Sequence, residues 1–170
     1  LARRAQIPVA TTLMGLGSFP ETDPLALRMA GMHGTAAANY AINHADLLLA
    51  FGVRFSDRVT GKLAAYAKEA KIVHVDCDPA SVGKNVRVDL GLVADVKDVL
   101  TTVASRVKPA THDAWLAQIE TWRRERPMSY KPLHPNVIMP QSVMEAIDRA
   151  TNGEAILATD VGQHQMWAAQ

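Results

Sequence analysis

A single cysteine, Cys77, stands in this 170-residue sequence. It excludes an internal disulfide framework and fits a reducing, cytoplasmic setting. Aromatic residues make up only 5% of the chain. No apolar run is long enough to span a bilayer, and no secretory-signal layout opens the sequence. Charge of either sign is not in excess: 18 basic and 17 acidic side chains leave a formal +1. No strong field is therefore available to draw in nucleic acid or a membrane surface, and neither is expected as a partner. Histidines are present, yet no pair has the spacing of metal ligands, so no metal site is expected in these residues. No internal repeat is visible.

What is there has the balance of a globular domain, with 48% hydrophobic and 21% charged residues. Continuous apolar runs at 7–13 (IPVATTL), 46–53 (DLLLAFGV) and 71–76 (KIVHVD), with a shorter one at 91–95 (GLVAD), suit strands buried on both faces. Between them, 35–45 and 61–70 are alanine-rich and favour helix. Residues 96–107 place Val96, Val99, Leu100, Val103 and Val107 on one helical face behind an Asp95 N-cap. Strands alternating with helices of this size predict an α/β fold, a doubly wound parallel sheet. After Val107 the character changes. Asp113 to Arg126 reads as an amphipathic helix with Trp115, Ile119 and Trp122 on one stripe, and 126–140 holds four prolines, as at an interdomain crossing. A further helix (QSVMEAIDRA) and strand (154–160, EAILATD) open a second α/β unit. The expected division is 1–107, 108–136 as a linker with one helix, and 137–170.

Chemistry is expected where strands end at their carboxyl edges. The turn GVRFSDR after the second run carries Arg54 and Arg58 behind Gly52, and arginine is well shaped to hold phosphate or carboxylate. By themselves the two arginines read equally well as solvated surface residues. Asp76, with Asp78 next in line, ends a strand where an acidic side chain commonly accepts from a ribose hydroxyl; capping the following turn is an equal alternative. Gly162 follows the last predicted strand, where exposed amides can meet a phosphate, with Gln163 and His164 as added donors.

Four strings in colinear order, TTLMGLGSFP (11–20), GMHGTAAANYAINHADLLLAFGVRFSDRVTGK (31–62), HVDCDPASVGKN (74–85) and TDVGQHQMWAAQ (159–170), resemble the catalytic subunit of acetohydroxyacid synthase (acetolactate synthase), a thiamine-diphosphate enzyme family that also carries FAD. The resemblance covers essentially the whole chain and implies an internal fragment of a longer polypeptide. That fragment would hold most of the FAD-binding middle domain and the start of the diphosphate-binding domain. It implies FAD contacts at Thr12, Leu13, Met32, His33, Gly52, Arg54, Ser56, Asp76, Cys77, Asp95 and Val96. Ser56 departs from the family's usual aspartate, and Cys77 stands where an aliphatic residue is usual. Asp57 and Arg58 match positions beside the substrate channel, and Val161, Gly162, Gln163 and His164 match the turn that holds the diphosphate of thiamine diphosphate. Mg²⁺ and the ring-activating glutamate are implied for the family through segments not in this sequence, so no catalytic residue is expected here and the chain alone is expected to be inactive. The implied reaction joins two pyruvates, or pyruvate and 2-oxobutanoate, with loss of CO₂, on the way to isoleucine and valine. The implied partners are small 2-oxo acids, further copies of the full-length chain, and a regulatory subunit. Glyoxylate carboligase, pyruvate oxidase and a non-catalytic nucleotide-binding module are the alternatives.

Overall fold

A computed structural model describes residues 1–132, 134 and 136–170. Positions 133 and 135, within the proline-rich stretch, lie outside the described residues. The chain forms two compact units, Leu1–Pro127 and Met128–Gln170. No helix among the described residues is long and apolar enough to cross a membrane.

In the first unit the elements run α1 (Ala2–Ala5), β1 (Val9–Thr11), β2 (Ala26–Met29), α2 (Ala36–His44), β3 (Leu47–Phe51), α3 (Asp57–Thr60), β4 (Lys71–Asp76), β5 (Leu90–Val93), α4 (Val96–Arg106) and α5 (Asp113–Glu125). The α/β class with parallel strands is as the alternating pattern predicts. Hydrogen bonding divides the strands into two sheets, β1-β2 and β3-β4-β5, with every pair parallel. β4 is central in its sheet, and Ile72, His74, Val75 and Asp76 are buried. This is why adjacent residues of the run 71–76, Ile72 and Val73, are both apolar although they point to opposite faces.

Three expectations need correction. The strand β2 has no counterpart among the predicted runs: it is four residues long and irregular. Arg28 there adopts a left-handed φ of 64°, and the β1–β2 register shifts after the Val9↔Ala26 pair. The alanine-rich stretch 61–70 is not a helix. It holds one 3-10 turn, Leu63–Ala65, and is broken by positive φ at Gly61 and Ala67. The amide of Ala67 donates to Asn43 Oδ1 of α2 (3.0 Å) instead of continuing a helical ladder, so a tertiary bond overrides a weak propensity. The third concerns residues 154–160 of the second unit, which form no strand.

α5 packs on α2 within the first unit. Ile119 is 2% exposed, and Trp115, Leu116 and Trp122 lie against the same core. Trp122 meets Tyr40 and His44 of α2 at ring separations of 5.6 and 5.3 Å, and Trp115 at 5.6 Å. The Arg123 guanidinium donates to the carbonyls of Pro24 and Ala26, tying α5 to the start of β2. On α4, Val96, Val99, Leu100, Val103 and Val107 are the partly covered face, and Asp95 caps the helix by accepting from the Lys97 amide at 2.7 Å.

The second unit contains α6 (Pro140–Thr151) and α7 (Gln163–Ala169). α6 begins with proline in its first turn, where the missing N–H costs nothing. Tyr130 donates to Glu145 Oε2 at 3.0 Å, and removal of its phenol from water, with that carboxylate beside it, raises its pKa. The predicted strand 154–160 does not form, and Ile156 there is 99% exposed. Among the described residues the unit offers it no second strand, and a lone strand has no partner for its backbone groups.

Candidate functional site

The turns at the carboxyl ends of the parallel strands carry the residues singled out from sequence. After β1, Thr12 Oγ1 accepts from the Gly15 amide at 3.1 Å and caps a 3-10 turn that contains Leu13. After β2 comes Gly31-Met32-His33-Gly34. Asn39 of α2 clamps this turn through both groups of one residue: Gly31 N donates to Asn39 Oδ1 and Asn39 Nδ2 donates to Gly31 O, each at 2.9 Å. Thr35 then caps α2, accepting from the Ala38 amide while donating to Leu27 O. Met32 and His33 are thereby held exposed at the turn's outer surface.

This turn and the one after β3 are joined. The Met32 amide donates to Arg58 O at 2.8 Å, and Arg58 Nη1 lies 3.6 Å from Met32 Sδ. A Cβ on Gly31 would stand 2.4 Å from Arg58 O, so only glycine permits the contact. Gly52 has a different reason to be glycine. Its φ is 63°, and a Cβ there would meet nothing within 4 Å, so conformation rather than close packing selects it.

Phe55 also has a positive φ, 50°, in the middle of the arginine turn. For a bulky residue this backbone costs roughly 1–2 kcal/mol. Burial offsets it: the ring is 3% exposed and stands edge-on to Tyr66 and His74 at 5.9 and 5.1 Å. With Phe55 turned inward, Arg54 is exposed and its guanidinium has no partner among the described residues. Asn85 Nδ2 donates to the Arg54 carbonyl at 2.9 Å. Asp57 Oδ1 accepts from the Arg58 amide at 3.0 Å, and both side chains are exposed. Ser56 opens α3 without a side-chain cap bond.

After β4, Asp76 is 8% exposed and its Oδ1 accepts from the Asp78 amide at 2.9 Å. Asp78 in turn accepts from Ala80 N and Ser81 Oγ. The capping role is therefore present, and it leaves Asp76 Oδ2 as a further acceptor at the strand end. Cys77, at a position where the resemblance implies an aliphatic residue, is exposed. After β5, Asp95 and Val96 form the start of α4. In the second unit, Val161 is exposed and Gly162 precedes α7, which opens at Gln163. Gln163 and His164 are exposed first-turn residues. A Cβ on Gly162 would lie 2.8 Å from His164 Cε1, so the imidazole rests over that glycine.

The site is an open edge, not a closed pocket. Two cavities of the first unit lie elsewhere, about 150 Å³ beside Tyr66, Lys68, Asn85 and Arg87, and about 300 Å³ between Leu25–Leu27 and α5. Among the described residues no cluster of three or more His, Cys, Asp or Glu could hold a metal. Sequence reasoning missed Asn39, Phe55, His74 and Asn85, which shape the edge from behind. An amide next to glycine-bearing turns was the one available signal, at Asn85.

Burial raises the Tyr66 phenol to about 12. The fold thus favours the neutral form, and this contribution is whole below pH 10 and lost as pH rises through about 12. At about 1.4 kcal/mol per unit, discounted for partial exposure, roughly 2 kcal/mol is at stake. Urea unfolding across that range should show a loss in the wild type that Tyr66→Phe abolishes; equal alkaline losses in both would contradict the assignment.

A parallel α/β domain with anion-capable turns along one carboxyl edge is a nucleotide-binding architecture. The chain belongs to the family described as thiamine pyrophosphate enzyme, central domain, whose profile matches residues 1–103. It is 54% identical to acetolactate synthase 1, chloroplastic, of Oryza sativa subsp. japonica, over 96% of this chain and 26% of the relative. Acetolactate synthase 2, chloroplastic, of Zea mays is also 54% identical over the same shares. The acetolactate synthase large subunit of Cyanidium caldarium is 49% identical over 100% of this chain and 30% of its own length. The chain thus spans between a quarter and a third of the relatives it matches.

Proposed function

We propose that this chain is the cofactor-binding middle region, with the first part of the following domain, of an acetolactate synthase catalytic subunit. The observation that carries this reading is 54% identity sustained over 96% of the chain. FAD fits the edge of the first unit. Arg54 offers an unpartnered cation, Asp76 an acceptor at a strand end, and exposed Met32 an apolar surface beside Arg58. On this reading Thr12, Leu13, Met32 and His33 face the flavin, Gly52, Arg54 and Ser56 lie along the cofactor, and Asp76, Cys77, Asp95 and Val96 hold the adenosine half. Asp57 and Arg58 border the route of the 2-oxo acid, whose carboxylate suits a guanidinium.

Thiamine diphosphate fits the turn Val161–His164, where the His164 imidazole lies over Gly162 and two exposed side chains, Gln163 and His164, can donate to phosphate oxygens. When bound, it supplies the electron sink needed to decarboxylate a 2-oxo acid. Mg²⁺ would be held by residues outside this chain, and the residues here bind and orient. Assembly into homo-oligomers, with a regulatory subunit, and a cytoplasmic setting belong to the same proposal.

The test is product analysis with the purified full-length polypeptide, thiamine diphosphate, Mg²⁺ and FAD. Pyruvate should yield acetolactate without added oxidant. Acetyl phosphate with peroxide would favour a pyruvate oxidase, turnover of glyoxylate alone a glyoxylate carboligase, and no turnover a binding module. In the same enzyme His164→Ala should raise half-saturation by thiamine diphosphate about three- to tenfold, the size of one hydrogen bond, with flavin content unchanged. An unaltered half-saturation in both His164→Ala and Gln163→Ala would leave that turn a purely structural role.

A further inference from the structure

We infer that Asn85 is a positioning residue for Arg54, acting through the peptide that joins Arg54 to Phe55; this rests on the reading of that edge as an FAD site. The segment HVDCDPASVGKN ends on Asn85, and nothing in the proposed cofactor contacts uses it. Its side chain crosses 31 residues of sequence to donate, from Nδ2, to the Arg54 carbonyl at 2.9 Å. That carbonyl belongs to the peptide whose rotation sets the positive φ of Phe55, 50°. Turning this peptide over, by opposite changes in Arg54 ψ and Phe55 φ, would relieve Phe55 and change the backbone conformation that sets the rotamers open to Arg54, since a non-glycine residue prefers negative φ. Two features oppose the turnover: the buried Phe55 ring and the Asn85 hydrogen bond.

Asn85 has a firm base from which to act. The Gly83 amide approaches His74 Nδ1 at 3.4 Å, and Asp89 Oδ2 accepts from the Ile72 amide at 2.8 Å, so the loop bearing Asn85 is fastened to β4 on both sides. His74 is fully buried and also carries the Phe55 ring, 5.1 Å away, on the same imidazole. One buried side chain thus supports both the strained residue and the loop that restrains it. Asn85 itself is exposed, so its replacement removes the restraint without opening the core.

FAD titration of the full-length apoenzyme, followed by flavin fluorescence, tests this with Asn85→Ala, Arg54→Ala and the double variant. Asn85→Ala should raise the FAD dissociation constant about three- to tenfold, the range of one neutral hydrogen bond, with an unchanged melting temperature. Asn85→Asp, which cannot donate, should do at least the same. In the Arg54→Ala background the Asn85 effect should shrink to less than about twofold, because coupled residues are non-additive. Full additivity, or a normal dissociation constant in Asn85→Ala while Arg54→Ala binds weakly, would overturn the inference and leave the FAD reading standing. Normal binding in Arg54→Ala would overturn the FAD reading and the inference with it.

Discussion

Gly34→Ala should be among the most damaging single-atom-group additions in the first unit, costing about 3 kcal/mol in urea unfolding, the upper end of ordinary overpacking. A Cβ on Gly34 would stand 2.1 Å from Met29 O and 2.6 Å from the Ala30 carbonyl carbon. Both are backbone atoms of the β2 end and cannot swing away as a side chain could. Gly31→Ala should approach the same loss, since it combines a 2.4 Å approach to Arg58 O with a φ of 96°. It should also break the Met32–Arg58 bond that joins the two turns, so flavin binding should fall along with stability. Gly52→Ala is the control. Its φ of 63° is left-handed but the space around it is open, so the expected cost is only about 1 kcal/mol. Equal losses at Gly34 and Gly52 would mean that conformation alone, and not the close approach of β2 to its turn, governs this edge.

Arg54→Ala should lower the affinity of the full-length enzyme for FAD by about tenfold to a hundredfold. A charge-assisted hydrogen bond contributes roughly 1.5–3 kcal/mol, and each 1.4 kcal/mol is tenfold. The guanidinium makes no internal bond among the described residues that its loss would leave unsatisfied, so unfolding stability should barely change. Arg54→Lys should recover only part of the affinity, because an ammonium lacks the paired donors. Flavin retained through gel filtration and the titration midpoint both measure this, and wild-type retention by the alanine variant would remove Arg54 from the site.

Local sequence carried the parts of this fold that depend on local physics. The run 71–76 coincides with β4 because a central parallel strand buries most of its length, here through Ile72, Val73 and Val75. α4 was legible through its Asp95 cap and apolar face, and α5 through its tryptophan and isoleucine stripe. The failures have tertiary causes. At 61–70 the alanines predict a helix, yet Asn43 captures the Ala67 amide and Tyr66 is drawn in beside Phe55. At 154–160 a strand pattern meets no neighbouring strand among the described residues of its unit. β2 is too short, and too distorted at Arg28, to announce itself.

The candidate site divides in the same way. The glycines, arginines and aspartates at strand ends could be picked out because their chemistry is visible in their names. What joins them could not. The Met32–Arg58 pairing spans 26 residues and the Asn85–Arg54 bond 31, and no periodicity encodes either. Nor does phenylalanine announce a left-handed backbone, which Phe55 adopts only because His74 and Tyr66 receive its ring.

FAD is proposed to lie along the carboxyl edge of the parallel strands. Amide hydrogen exchange of the full-length enzyme, compared with and without FAD, tests it most directly. FAD should slow exchange at 12–15, 31–34, 52–58, 76–78 and 94–97, with no change along α5 and the cavity beneath Leu116–Arg123. Protection confined to α5 or to that cavity, with the strand-end turns exchanging as fast as in the apoenzyme, would contradict it.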